Sequence, residues 1–245
     1  MTRRYALVTG ASRGIGAAVA RRLAGEGYDL TLAARNEAPL AEVAAELTAA
    51  GAMVQTVTGD LSSEEEVRRV AAAHLGRFPL VHLLVLSAGV AFAGEVAGFP
   101  LRRLDRMVAV NLRAPLVLVQ SCLPALRKAA AEDPERGARV VALASLSGVV
   151  AEPLLGLYGA TKAALISLCE AITVEESGHG VSATAVSPGF VDTDMGAWAT
   201  DHIERSSMLV AADVAELVTS LTRLSARAVV PNLVVARAGS QIWRA

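Results

Sequence analysis

Three residues in the second half of the chain carry side chains that could move a proton. Tyr158 follows Ser145 by thirteen residues, and Lys162 follows Tyr158 by four. Residues four apart on a helix share one face, so the lysine ammonium would lie beside the phenol. A free phenol titrates near ~10, and proton transfer at neutral pH requires a decrease of roughly 3 units, or about 4 kcal/mol. One positive charge at ~4 Å supplies about that much at an effective dielectric of ~20. With Ser145 hydrogen-bonding the oxygen whose charge changes, the pattern predicts acid–base chemistry on a carbonyl or an alcohol.

Tyr and Lys often share a helix face for purely structural reasons, so this spacing alone does not indicate a catalytic role. A second motif, near the amino terminus, supports that role. Residues 5–9 form an apolar, β-rich run that leads directly into Gly10, Gly14 and Gly16, and an Ala-rich helical stretch follows over 17–24. Strand, glycine turn and helix are the context of a dinucleotide-binding loop. Such a loop aims the free N–H groups of a helix N-terminus at phosphates.

Taken together, the glycine motif that begins at Thr9 and the ordered series Asn111, Ser145, Tyr158 and Lys162 resemble the short-chain dehydrogenase/reductase family. The resemblance extends from Tyr5 to about Gly239 and is closest to the single-domain branch. It implies a reversible reduction of a ketone or aldehyde to an alcohol by hydride transfer from NADPH. In that reaction Tyr158 would be the proton donor.

The resemblance also assigns roles to individual residues. Lys162 would lower the pKa of Tyr158 and hold the nicotinamide ribose, Ser145 would orient the carbonyl, and Asn111 would connect Lys162 to solvent through a water at a helix kink. These four residues are the predicted catalytic set. The predicted cofactor-binding residues are Gly10, Ser12, Arg13, Gly14, Ile15, Gly16, Arg35, Asp60, Leu61, Ala88, Gly89, Tyr158, Lys162, Pro188, Gly189, Val191 and Thr193.

The end of the second β-like run predicts which dinucleotide binds. An NAD enzyme normally has an acidic residue here to bind the ribose hydroxyl, but this chain has Ala34, followed by Arg35. Arg35 and Arg13, which lies inside the glycine loop, could hold the 2′-phosphate of NADP with charge-assisted bonds. The sequence therefore predicts NADP(H).

Seven apolar β-like runs alternate with helical stretches along the chain. They cover residues 5–9, 28–34, 53–57, 81–87, 139–145, 181–187 and 232–236. Such alternation predicts an α/β fold, a Rossmann-type doubly wound parallel sheet of about seven strands with helices on both faces. We expect one domain over 1–245, with ligands at the carboxyl ends of the strands, where Ser87, Ser145 and Ser187 would meet.

Composition excludes several classes of function. The net charge is −1, whereas nucleic-acid or anionic-membrane binding needs a basic surface. No apolar signal region precedes the first strand, which predicts a soluble, cytoplasmic protein without membrane association. Cys122, Cys169 and the four histidines lack metal-ligand spacing, so we expect buried thiols and no metal site. The apolar helices over 111–126 and 158–177 form subunit contacts in the family, which predicts a homodimer or homotetramer.

The substrate is predicted only as a class. We expect segments near 90–100, 146–156 and 190–212 to form the substrate pocket and to favour a hydrophobic or aromatic ketone. The expected pocket wall consists of Phe92, Val149, Leu154, Leu155, Phe190, Met195 and Trp198.

Two alternatives stay open. One is a 3-oxoacyl-carrier-protein reductase, with Arg102, Arg103, Arg106 and Arg136 facing an acidic carrier. The other is a non-catalytic NADP-binding regulator. Two departures from the family pattern bear on these alternatives: Leu86-Ser87 replaces the usual Asn-Asn after the fourth strand, and the stretch 232–239 lacks the usual Asp-Gly-Gly.

Overall fold

One parallel sheet carries every predicted strand. The computed structural model of the protein describes residues 3–195 and 203–239. Within them, the strands are β1 (Arg4–Thr9), β2 (Tyr28–Ala34), β3 (Val54–Thr58), β4 (Leu83–Leu86), β5 (Ala138–Leu143), β6 (Val181–Pro188) and β7 (Asn232–Val235). They pair in parallel in the order β3-β2-β1-β4-β5-β6-β7. The predicted doubly wound, Rossmann-type sheet is confirmed.

Helices cover both faces of this sheet. They are α1 (Gly14–Gly25), α2 (Glu37–Ala49), α3 (Glu64–Arg77), α4 (Leu101–Val108), α5 (Ala114–Glu132), α6 (Gly156–Glu176) and α7 (Ala211–Leu221). One hydrophobic core joins α1, α2 and α7 to one face, and a second core joins α3, α5 and α6 to the other. Because helices bury the sheet on both faces, the strands have apolar residues at successive positions and appear in the sequence as continuous apolar runs.

The strand order reverses next to β1, whose neighbours are β2 and β4. Connections leave in opposite directions at this point, which opens a crevice above the carboxyl ends of the two strands. The buried Thr9 hydroxyl closes the floor of the crevice: it donates to the Val85 carbonyl (3.3 Å) and accepts from the backbone N–H groups of Ser87 (3.1 Å) and Ala88 (3.2 Å). Thr9 thereby holds the end of β4, where the family's Asn-Asn is replaced.

Two strands end earlier than predicted. β4 ends at Leu86 and β5 at Leu143, so Ser87 and Ser145 lie beyond the sheet. Ser145 instead caps a short 3-10 helix, Leu146–Gly148. Ser187, in contrast, remains inside β6, fully buried, and donates to Asn232 Oδ1 at 2.8 Å. Ser87 and Ser145 line one cleft at this edge of the sheet, as expected, but Ser187 does not join them, because it lies inside β6.

Two helical segments, Leu101–Glu132 and Gly156–His179, have the length and hydropathy of a membrane span by composition alone. Both α5 and α6 contribute many side chains to the core between helices and sheet, which is the behaviour of core helices. The two cysteines, Cys122 and Cys169, are buried free thiols as predicted. In residues 3–195 and 203–239 there is no group of three or more potential metal ligands.

Candidate active site

A cleft opens at the carboxyl ends of the strands. Along one half it is lined by the glycine loop after β1 and by the ends of β2, β3 and β4, and along the other by the segments after β5 and β6 and the start of α6. All seventeen predicted cofactor-binding residues line this cleft, as does Ser145. Asn111 is the one member of the predicted catalytic set that does not line the cleft; it is fully buried.

The glycine loop is shaped by contacts that leave no room for a side chain. A Cβ on Gly16 would lie 2.3 Å from the Gly10 carbonyl oxygen. Gly10 itself has φ +66°, and a Cβ there would lie 2.8 Å from the backbone nitrogen of Ala88. The loop can therefore fold tightly over β1 and β4, which brings its N–H groups to the floor of the cleft.

The two arginines predicted to bind a 2′-phosphate lie in different environments. Arg35 is exposed at the end of β2, lines the cleft and has no ion pair among the described residues. The guanidinium of Arg13 instead lies 2.6 Å from the Asp194 carboxylate, on the opposite wall. Arg35 is thus available to an anion, whereas Arg13 has a competing partner.

Asp60, at the end of β3, is held from two sides. Its Oδ1 accepts from the Ser62 backbone N–H (3.0 Å), and its Oδ2 accepts from Arg106 (3.2 Å). The Ser62 hydrogen bonds, opposed by desolvation and helped by the Arg106 charge, hold the pKa of Asp60 below its ordinary value. Asp60 therefore presents an ionised, fixed acceptor at this end of the cleft.

Tyr158 lies in the first turn of α6 and is buried, with 8% of its surface exposed. Burial raises the pKa of Tyr158 to about 12; hydrogen bonding with the Ser145 hydroxyl acts in the opposite direction, and the Glu152 carboxylate raises it further. The phenol is consequently protonated at neutral pH.

Lys162 lies one helical turn further along, with 3% exposed. Its Nζ is 5.7 Å from the centre of the Tyr158 ring and donates to the Leu143 carbonyl at 2.7 Å. Burial lowers the pKa of Lys162 to about 8. Desolvation is the largest influence on the pKa of both groups in this structure and works against the predicted acidification of the phenol by Lys162, which stays a prediction.

Asn111 lies in a π-helical segment, Ala109–Arg113, between α4 and α5, so the kink implied by the resemblance is present. Its side-chain amide donates to the Val90 carbonyl (2.9 Å) and to Thr161 Oγ1 (3.0 Å), and its Oδ1 accepts from the Val90 N–H (2.9 Å). These bonds use both amide N–H groups and one lone pair of Oδ1, so Asn111 fixes the loop after β4 against α6. π-Bulges of this kind are frequent at functional sites.

The pocket wall agrees with the prediction only in part. Leu155, Phe190 and Met195 line the cleft, together with Val90 and Val110. Phe92, Val149 and Leu154 do not: Phe92 carries the Arg103 guanidinium over its ring at 5.5 Å, Val149 lines a separate depression, and Leu154 is half exposed. Trp198 lies outside the described residues.

Three polar residues of the site were not predicted. Ser147 lines the cleft two residues after Ser145 and donates to Glu152 at 2.5 Å, and Asp194 holds Arg13. The sequence did offer a signal for Ser147, because it lies two residues after Ser145 in a short turn. Glu152 lies five residues after Ser147 in the same loop, but no motif marked it, and Asp194 had no local signal because its partner Arg13 is 181 residues away.

Comparison with protein families gives a match over most of the chain. A family model described as short chain dehydrogenase matches residues 4–204. An uncharacterized oxidoreductase of Staphylococcus epidermidis is 33% identical over 205 residues, which cover 84% of this chain and 85% of the relative.

Solved structures resemble the whole chain. An alcohol dehydrogenase from the archaeon Thermococcus sibiricus, complexed with 5-hydroxy-NADP, is 29% identical with a TM-score of 0.87 and covers 98% of each chain. A 3-ketoacyl-(acyl-carrier-protein) reductase from Brucella melitensis, complexed with NADH, is 26% identical with a TM-score of 0.83 and covers 95% of this chain and 96% of its own. These two structures hold different dinucleotides.

Proposed function

Because this chain belongs to the short-chain dehydrogenase family, we propose that it is an NADPH-dependent oxidoreductase that reversibly reduces a ketone or aldehyde to an alcohol. The observation that carries the proposal is a protonated phenol, Tyr158, at the cleft that also contains the glycine loop. A phenol whose pKa is raised to about 12 is present as the acid at neutral pH, as a proton donor to a carbonyl oxygen must be.

The described residues fit a dinucleotide. A Cβ on Gly10 or Gly16 would collide with backbone atoms, so the loop makes the tight turn and the close helix–strand packing that a dinucleotide-binding loop needs. Residues of the loop would hold the pyrophosphate, Asp60 the adenine end, and Lys162 and Thr193 the nicotinamide half. When bound, the reduced nicotinamide supplies the hydride.

Three side chains then have distinct tasks. Ser145 and Tyr158 both hydrogen-bond the substrate oxygen, and Tyr158 gives it a proton. The phenolate left behind is stabilised by the Ser145 hydroxyl and by the nearby Lys162 ammonium. Proton return from solvent would pass Lys162 and a water on the Asn111 backbone carbonyl, since both N–H groups of the Asn111 amide are already donated.

We propose NADPH and not NADH as the cofactor because of the two residues at the end of β2. Ala34 offers no carboxylate to a ribose hydroxyl, and the exposed Arg35 lines the cleft beside it. Since the similar solved structures hold NADP-type and NADH ligands alike, this preference depends on the chain's own residues.

Apolar side chains support a hydrophobic ketone as substrate. Leu155, Phe190 and Met195 line the cleft, and they would enclose an aryl or alkyl group better than a free sugar. The acyl-carrier alternative is favoured by the similarity to the Brucella reductase. It is weakened at the proposed carrier face, because Arg106 is paired with Asp60 and Arg103 lies over Phe92.

We also propose association of copies through α5 and α6. Leu116 is 38% exposed and Val174 81% exposed on these helices, so pairing would remove apolar surface from water.

The proposed function is tested by following NADPH absorbance in the presence of a panel of aryl ketones, with an acyl-carrier substrate and its short thioester mimic alongside. Oxidation of NADPH by at least one simple ketone is the expected result. Tight NADPH binding without turnover of any substrate would instead support the regulator, and turnover confined to the acyl-carrier substrate would support the carrier-protein reductase.

A further inference from the structure

A chain of hydrogen bonds leads away from the catalytic pair and ends on a carboxylate. The Ser145 hydroxyl donates to Ser147 Oγ (3.3 Å), and the Ser147 hydroxyl donates to Glu152 Oε2 (2.5 Å). The Ser147 backbone N–H returns to Ser145 Oγ at 3.2 Å. Since Ser145 also hydrogen-bonds Tyr158, four side chains are connected in sequence.

The carboxylate sets the direction of this chain. An ionised carboxylate only accepts hydrogen bonds, and a serine hydroxyl has one proton to donate. The only proton of Ser147 is therefore used on Glu152, and its remaining lone pairs face Ser145 and the cleft, which Ser147 lines with 7% exposure. Toward a ligand, Ser147 is an acceptor.

The loop that supplies Glu152 is well defined by its contacts. Its turn is closed by the Leu155 N–H, which donates to the Glu152 carbonyl at 3.2 Å. Leu154 has φ +64°, a left-handed conformation that a β-carbon disfavours, and its carbonyl accepts from the Gly94 N–H at 2.9 Å. Non-glycine residues held in such conformations cluster at functional sites.

We propose that Ser147, oriented by Glu152, selects carbonyl substrates that carry a hydrogen-bond donor next to the carbonyl, such as α-hydroxy ketones. The donor of the substrate binds the lone pair of Ser147 that Ser145 otherwise occupies. The Ser145 proton is then released to the carbonyl oxygen beside Tyr158. In a substrate with an ether or a second carbonyl at this position, a lone pair of the substrate oxygen faces a lone pair of Ser147 Oγ. The two repel each other, so such a substrate binds poorly. Ser147 is the specificity residue and Glu152 is a positioning residue that acts through it. This inference rests on the proposed ketone reduction and names its substrate class.

A matched set of substrates tests the inference. α-Hydroxyacetophenone carries the donor, α-methoxyacetophenone replaces the hydroxyl proton with a methyl group, and acetophenone lacks the substituent. We expect the kcat/KM of the wild type to be about tenfold or more higher for the hydroxy ketone than for the methoxy ketone. The reason is that a site built to bind a hydroxyl group leaves a polar group unpaired when the methoxy ketone binds.

Two variants separate orientation from general damage. In Glu152→Gln the amide can donate to Ser147 Oγ and so turn the Ser147 proton toward the cleft; the selectivity ratio is expected to fall below about threefold, mainly by improved use of the methoxy ketone. Ser147→Ala is expected to remove the selectivity as well. Glu170→Gln, which removes an exposed carboxylate on α6, is the matched control and is expected to keep the wild-type ratio. A merely structural role for Glu152 would lower all three kcat/KM values together and leave the ratio unchanged, which would overturn the inference.

A binding measurement keeps the inference testable without turnover. With NADP⁺ present, the hydroxy ketone is expected to raise the melting temperature of the wild type more than the methoxy ketone does, and this difference should disappear in Glu152→Gln. Equal shifts in the wild type would overturn the inference. Failure of the wild type to oxidise NADPH with any of the three ketones would count against the proposed function instead.

Discussion

The Arg13 guanidinium lies 2.6 Å from the Asp194 carboxylate, and the pair joins the glycine loop to the segment after β6 across the mouth of the cleft. The two side chains are 64% and 66% exposed. Exposed ion pairs contribute little to stability, so this one can open at small cost. A phosphate entering the cleft would compete with Asp194 for Arg13.

Removing that competitor should strengthen NADPH binding. Asp194→Asn is expected to lower the Kd for NADPH by up to about fivefold, the range of an exposed pair, and to leave the Kd for NADH unchanged. Titration of NADPH fluorescence measures both. Asp192→Asn, which breaks the exposed pair with Arg205 at 2.7 Å, is the matched loss of charge. Equal gains for both cofactors would show that Arg13 does not recognise the 2′-phosphate.

Arg35 should distinguish the two dinucleotides more strongly. Arg35→Ala is expected to weaken NADPH binding by about 10- to 100-fold, because a charge-assisted contact to the 2′-phosphate is lost. NADH, which lacks that phosphate, should be affected less than about threefold. Arg68→Ala, at an exposed pair on α3, controls for charge. The argument for NADP fails if both cofactors weaken alike.

Local patterns were sufficient to predict the sheet and the edge at which the cleft lies, whereas the individual cleft residues Asp60 and Thr193 were assigned by the family resemblance. Strand and helix types follow from apolar runs and the glycine turn, and residues such as Gly10, Asp60 and Thr193 come to one cleft because parallel strands end at one edge. Three-dimensional neighbours were not predictable in this way. Desolvation decided the pKa of Tyr158, which no spacing reveals, and Asp194 meets Arg13 across 181 residues of sequence.

The pH dependence of ketone reduction should report Lys162 and not Tyr158. Lys162 is protonated below about 8 and Tyr158 below about 12, so kcat/KM should be constant through neutral pH and fall as pH rises through about 8. Ser145→Ala should lower the rate and leave this break in place. Hydrogen bonding with Ser145 lowers the pKa of Tyr158, so its loss can only move the tyrosine titration upward. If the pH at which kcat/KM begins to fall moves upward in Ser145→Ala, that fall reports the titration of Tyr158 and not of Lys162.

Gly16 should tolerate no side chain. In Gly16→Ala the new Cβ would lie 2.3 Å from the Gly10 carbonyl oxygen, and the backbone shift is expected to cost about 2 kcal/mol or more of unfolding free energy. Gly76→Ala is the matched control: it has no neighbour within 4 Å in α3 and should be stabilising by about 0.5 kcal/mol or more. Urea unfolding of both variants measures the difference. An alanine at position 16 that leaves stability unchanged would contradict the close approach described for the loop.

The most direct test of the account is the rate of ketone reduction by Tyr158→Phe. The variant keeps the ring and loses only the hydroxyl that would protonate the substrate, so kcat/KM should fall by at least about 100-fold while NADPH binding persists. Tyr5→Phe, whose ring stacks on Phe78 at the amino end of β1, should retain wild-type turnover. Near-normal reduction by Tyr158→Phe would contradict the assignment of Tyr158 as the proton donor.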